Sequence, residues 1–209
     1  MFFKMDSELK NSILKTGTTI LGIVCKDGVV MAADRRTSLG QGLIFHKNAE
    51  KVKAINNYLV FAGCGSATEI QKISKLLTAE LKLKELKSKS RPTIKQAASL
   101  LSNIHAEGSA FILAGFDEDG GVSLYEITGG FLKEIEDYTA SIGSGMPYVL
   151  GFLERQWKKG LTIKEGIELA KESLKSSTQR DSASGNGIDI FAITKEGIKK
   201  VHEEEFSRP

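Results

Sequence analysis

Two β-branched runs that flank an Asp-Gly pair set the tightest limit on what this chain can fold into. Thr18–Lys26 (TTILGIVCK) and Gly28–Asp34 (GVVMAAD) meet at Lys26-Asp27-Gly28. Asp and Gly tolerate the backbone angles of a tight turn, so Asp-Gly between apolar runs predicts a hairpin. A chain that begins this way is expected to rest on antiparallel sheet. The longest apolar runs, Tyr58–Cys64 and Ala110–Phe116, are strand-sized. Neither approaches the roughly eighteen residues that a membrane helix needs.

The rest of the pattern alternates in blocks. Short strands are expected at Leu43–Phe45 and Tyr58–Ala62. Ser66–Lys87 then spaces Ile70, Ile73, Leu76, Leu77 and Leu81 as one helical stripe. Pro92–His105 repeats it with Ile94, Ala97, Ala98, Leu101 and Ile104, and Pro92 suits a helix start. Phe111–Gly115, Val122–Ile127 and Phe131–Asp137 read as strands with Gly-rich turns between them. Helices follow at Pro147–Lys159 and Thr162–Ser177, separated by Gly160, and strands at Ile188–Thr194 and Ile198–Val201 end the chain. Strands grouped as hairpins favour antiparallel sheets with helix pairs over their faces. The expected class is α+β: a four-layer αββα sandwich, two antiparallel sheets between helix layers.

Composition removes several functions. The 209 residues carry 29 Lys and Arg against 26 Asp and Glu, a net charge of +3, too small to imply nucleic acid by electrostatics alone. Lys82–Arg91 is basic, but a solvated helix end explains it better than a nucleic-acid patch. Cys25 and Cys64 cannot make a disulfide scaffold, so a reducing compartment is expected. His46, His105 and His202 lie far apart and show no metal-ligand spacing. Neither a metal nor an organic cofactor is expected, nor a membrane partner. No nucleophile elbow, phosphate loop or dinucleotide fingerprint occurs.

Chemistry is left to the junction Thr16-Gly17-Thr18-Thr19, directly before a strand. Met1–Gly17 has only a short apolar patch, Ser12–Leu14, and reads as a tail or pro-segment rather than a secretory signal. A cut after Gly17 would give Thr18 a free α-amine beside its hydroxyl. Such an amine has a pKa near ~7.7–8.0 and can accept the hydroxyl proton, so nucleophile and base share one residue. Alone, Gly-Thr means little.

Its surroundings carry more: Asp34-Arg35-Arg36, then His46-Lys47-Asn48-Ala49-Glu50-Lys51, Gly63-Cys64-Gly65-Ser66-Ala67, Gly143-Ser144-Gly145 and Arg180-Asp181-Ser182-Ala183-Ser184-Gly185. Singly, each has a plain structural alternative: a surface ion pair at Asp34-Arg35, close packing at Gly63 and Gly65, an Asx-type loop at 180–185. In this order, from Thr18 to about Thr194, they resemble the β subunits of the proteasome core particle, archaeal type, in the N-terminal-nucleophile hydrolase superfamily.

The resemblance implies a threonine peptidase: residues 1–17 a propeptide removed by self-cleavage, 18–209 a single hydrolase domain. It implies Thr18 as nucleophile, Asp34 and Lys51 as an acid–lysine pair, and the Gly65 N–H as oxyanion donor. Ser144, Asp181 and Ser184 would surround the threonine amine. The family often has one residue fewer between its Asp-Arg and His-Lys-Asn segments. Lys47 is therefore an alternative to Lys51, which is preferred because it ends the motif and enters the next strand.

A substrate pocket is implied at Thr37, Ala49, Lys53, Gly63 and Ala67. Small residues at 63 and 67 suggest depth, hence cleavage after large apolar residues. Glu69 stands where the family more often has aspartate, and Leu101–Asp117 is shorter than in typical archaeal members. The implied partners are proteasome α subunits and other β subunits in stacked heptameric rings, polypeptide substrates, and indirectly a regulatory ATPase, in the cytoplasm. Two other readings remain: an unprocessed, structural β subunit, and the simpler two-ring bacterial ATP-dependent peptidase, which the 180–185 segment disfavours.

Overall fold

The computed structural model describes residues 16–39, 43–104 and 108–206. The expectations for residues 1–15 and for His105 as a helix end lie outside them. The hairpin forms where Asp-Gly placed it. β2 (Ile20–Cys25) and β3 (Gly28–Asp34) pair antiparallel, closed by Cys25 opposite Gly28, so the loop is Lys26-Asp27. β3 continues to β12 (Gly187–Thr194), which pairs with β13 (Gly197–Glu205). β11 (Tyr138–Ala140) completes the five-stranded order β11-β2-β3-β12-β13.

A second five-stranded sheet has the order β10-β9-β8-β7-β6. Its strands are Phe131–Ile135, Val122–Thr128, Ala110–Phe116, Leu59–Cys64 and Val52–Ala54 respectively. A three-stranded sheet joins β1 (Thr16–Gly17), β4 (Thr37–Leu39) and β5 (Leu43–His46). All pairings are antiparallel.

The uninterrupted apolar runs follow from layering. Strand side chains alternate between faces, and both faces here are covered. Val29, Met31 and Ala33 of β3 meet Val60, Ala62 and Cys64 of β7 and Ile112 of β8 between the two large sheets. Val30 and Ala32 turn the other way, onto helix residues Val149, Leu153, Ala170 and Leu174. Leu59, Phe61, Phe111 and Leu113 turn toward Ile73, Leu77, Leu81, Ile94 and Ala98. The helices are α1 (Ala67–Ser88), α2 (Ile94–Ser102), α3 (Met146–Gln156) and α4 (Ile163–Arg180). The result is an αββα sandwich with one apolar core between the sheets and one under each helix pair.

Local chemistry sets the helix ends. Thr93 and Thr162 make capping boxes with Gln96 and Glu165, and Ser66 accepts the Glu69 N–H at the start of α1. The second helix is shorter than its apolar spacing predicts and ends at Ser102. The expected strand Phe131–Asp137 ends two residues early, and a further strand that was not expected follows it. β10 stops at Ile135 in one sheet and β11 begins at Tyr138 in the other, so Glu136-Asp137 carries the chain between layers. β4, β6 and β11, three residues each, are too short for a period to show. β13 runs to Glu205, beyond the expected Val201.

Candidate active site around Thr18

Thr18 and Thr19 lie between β1 and β2 and are buried. Asp34 ends β3 with its carboxylate fully buried. Oδ1 accepts the Thr19 N–H at 2.8 Å and the Lys51 ammonium at 2.6 Å. Oδ2 accepts the N–H groups of Arg36 (3.0 Å) and Gly185 (2.9 Å). A buried carboxylate is tolerated only with such a full set of donors. Lys51 is itself almost wholly buried and also reaches the carbonyl oxygen of Gly17 at 3.4 Å. Burial holds its pKa below the ordinary lysine value, with the Asp34 charge opposing the shift. Of the two candidate lysines it is Lys51 that meets Asp34; Lys47 is exposed.

The Gly17 carbonyl oxygen is approached twice. Besides Lys51, the Thr18 hydroxyl donates to it at 2.7 Å. On the opposite side the Thr18 N–H donates to Ser144 Oγ at 3.3 Å, and Ser144 donates to Asp181 Oδ2 at 2.6 Å. The same Asp181 oxygen takes the Ser184 hydroxyl at 2.6 Å, and Ser184 lies 2.7 Å from Thr19 Oγ1. Asp181 Oδ1 accepts the Ala183 N–H, so the segment is an Asx turn as well as part of the cluster.

Gly65, just past β7, has φ +112°, and a Cβ there would lie 2.2 Å from the Gly108 carbonyl oxygen. Both left-handed backbone and crowding reserve the position for glycine. Cys64 beside it is buried. Its thiol, pushed up in pKa chiefly by burial, donates to the Ile142 carbonyl at 3.0 Å. That contact ties β7 to the 141–145 loop that carries Ser144.

Ser38 carries no sequence signal of its own, and Arg36, Gly143 and Gly145 stand in motifs that assigned them no role. Ser38 Oγ accepts the Gly17 N–H at 3.1 Å and lies 3.3 Å from the Ala183 carbonyl, to which it donates. Arg36 holds the 182–186 loop through Asn186 Oδ1 and the Ser182 carbonyl, both at 2.8 Å. A Cβ on Gly143 would lie 2.2 Å from the Thr18 carbonyl oxygen, and one on Gly145 would lie 1.9 Å from Thr19 Oγ1. Gly143 leaves room for the Thr18 backbone and Gly145 for the Thr19 side chain, which explains the spacing of Gly143-Ser144-Gly145.

The pocket candidates lie on neighbouring elements. Thr37 is buried in β4. Ala49 is partly buried and donates its N–H to the Arg35 carbonyl at 2.9 Å. Lys53 is partly buried in β6, Gly63 is buried in β7, and Ala67 is exposed at the start of α1. Glu69 pairs with Lys72 at 3.8 Å, one turn along α1. Among the described residues no cluster of His, Cys, Asp or Glu could hold a metal ion, and no helix is long and apolar enough to cross a membrane.

As an arrangement, this is a hydroxyl and an ammonium on one carbonyl oxygen, with the adjoining amide N–H held by a serine–aspartate pair. A family profile described as "Proteasome subunit" matches residues 14–193. A "Proteasome subunit beta" of Nanoarchaeum equitans is 39% identical, covering 90% of this chain and 98% of that relative. A "Proteasome subunit beta" of Archaeoglobus profundus is 36% identical over 98% of this chain and 96% of its own. A "Proteasome subunit beta 1" of Thermococcus onnurineus is 39% identical, with 90% and 94% covered. With a family match over most of its length and relatives aligned nearly end to end, the chain belongs to the proteasome subunit family.

Proposed function

We propose that this chain is a β-type proteasome subunit acting as a threonine endopeptidase, with Thr18 freed by self-cleavage after Gly17. One observation carries the reading: the Gly17 carbonyl oxygen receives both the Thr18 hydroxyl and the Lys51 ammonium. Attack of Thr18 Oγ on the Gly17 carbonyl carbon builds negative charge on that oxygen, and the buried ammonium stabilises it. The C–N bond then breaks, the hydroxyl proton ends on the departing nitrogen, and Gly17 is held as an ester on Thr18. Water hydrolyses the ester, releasing residues 1–17 and leaving a free α-amine beside Oγ.

Peptide substrates then follow the same chemistry in trans. Thr18 Oγ attacks the substrate carbonyl and the Gly65 N–H holds the oxyanion. The α-amine passes the proton to the leaving amine, and water clears the acyl ester. Ser144, Asp181 and Ser184 fix the amine's orientation, while Asp34 keeps Lys51 charged and in place.

Family membership supports assembly into a particle with other subunits. We take that particle to be two heptameric β rings between α rings, in the cytoplasm, fed with unfolded polypeptide by an ATPase. Access to an inner chamber then selects substrates. The test is Thr18→Ala, co-expressed with an α subunit. The variant should assemble and hydrolyse no peptide. An assembled Thr18→Ala particle that retains turnover would refute the mechanism.

A further inference from the structure

β6 and β7 pair with Val52 opposite Ala62 and Lys53 opposite Phe61. Val52 and Ala62 face the core between the sheets, so alternation turns Lys53, Phe61 and Gly63 toward α1. Phe61 does pack there, with Ile73 and Leu77. A Cβ built on Gly63 would lie 2.9 Å from Ile70 Cγ2, 3.0 Å from Ile70 Cγ1 and 3.2 Å from Phe111 Cδ1. The space left by the glycine is therefore filled by Ile70.

Ile70 differs from its helical neighbours. Ile73 and Leu77 are fully buried, whereas Ile70 is only partly covered, one turn along α1 from exposed Ala67. It stands at the edge of the helix-side core, on the first turn of α1 after Gly65 and Ser66. Small residues at 63 and 67 thus open less depth than their size implies, because a branched aliphatic side chain closes the space between them.

We propose that Ile70 sets the depth of the pocket for the substrate side chain preceding the scissile bond. The subunit then takes compact aliphatic side chains in preference to aromatic ones. This rests on the threonine-peptidase reading above and reverses the size preference that the sequence suggests. An aromatic ring enters only by displacing Ile70 from its contacts with β7 and Phe111. Differences in fit of this kind separate substrates by about 10–200-fold in kcat/KM.

The experiment uses the assembled, self-processed particle and fluorogenic peptides that differ only in the residue before the reporter: Leu, Phe or Arg. The native particle should favour Leu over Phe by about tenfold or more. Ile70→Ala should move the Leu-to-Phe ratio toward Phe by about tenfold, and Ile70→Val should move it part of the way. Ile70→Val carries the test if the alanine variant fails to assemble. Native turnover of Phe equal to that of Leu, or a ratio unmoved in the variants, overturns the proposal while leaving the peptidase reading intact. Absence of turnover on every peptide overturns the peptidase reading itself.

Discussion

Replacing Gly17 by alanine probes the proposed self-cleavage geometry while keeping the Gly17 carbonyl, the Thr18 hydroxyl and the Lys51 ammonium. A Cβ at residue 17 would sit 2.1 Å from Ala183 Cβ, 2.4 Å from Ser38 Oγ and 2.9 Å from the Ala183 carbonyl oxygen. Carbon atoms rest about 3.5–4.0 Å apart, so the closest contact is short by roughly 1.4 Å or more. The φ of Gly17 is not positive, so the demand for glycine here is steric rather than conformational. Relief requires β1 to draw back from β4 and the 181–185 loop. That movement carries the Gly17 carbonyl away from Lys51 and from Thr18 Oγ. Misplacement of reacting atoms by about 1 Å costs on the order of 10²-fold in rate. Gly17→Ala should therefore slow release of residues 1–17 by about 100-fold. The assay is intact mass against time after mixing with an α subunit. A second substitution, Ala183→Gly, removes the closest contact and should restore part of the rate. A chain engineered to begin at Thr18 should be as active as the processed native subunit. Cleavage of Gly17→Ala at the native rate would refute the reasoning.

Other outcomes follow from the buried pair. Asp34→Ala leaves the Lys51 ammonium and the N–H groups of Thr19, Arg36 and Gly185 without their acceptor. Denaturant unfolding of the purified subunit should show a loss of about 3–5 kcal/mol, and a loss below about 1 kcal/mol contradicts the account. Burial lowers the Lys51 pKa, so its proton leaves at a lower pH than from an ordinary lysine. Because the unfolded chain then holds more protons than the native one, stability rises with pH between the native and unfolded values as the cost of the buried charge is relieved. On the proposed mechanism catalysis needs the ammonium and should fall in that same window, so the alkaline limb of kcat should lie below the usual lysine value of about 10.4. A limb at or above that value in the processed particle contradicts the assignment.

Much of the fold shows in the sequence because its central strands are covered on both faces. GVVMAAD and Ala110–Phe116 read as unbroken apolar runs, and helices with one buried stripe, such as Ile73-Leu77-Leu81, show their period plainly. The strands that do not show are set by distant partners. β4 is a strand because β1 and β5 flank it, and β11 because β2 offers an edge. Motifs marked Thr18, Asp34, Lys51, Ser144, Asp181 and Ser184, and the structure brings all six together within one hydrogen-bonded set. The contacts of Ser38 with Gly17 and of Ile70 with Gly63 are not legible, since each depends on what a distant glycine leaves open. A single chain's pattern records which residues are small, but not which neighbour takes up the room.

The most direct test of the account is the intact mass of this chain, purified alone and again after assembly with an α subunit. The account predicts loss of the mass of Met1–Gly17 on assembly, leaving Thr18 as the new N-terminus. Full-length mass in an assembled particle would contradict it and assign this chain to the ring as an unprocessed, structural subunit.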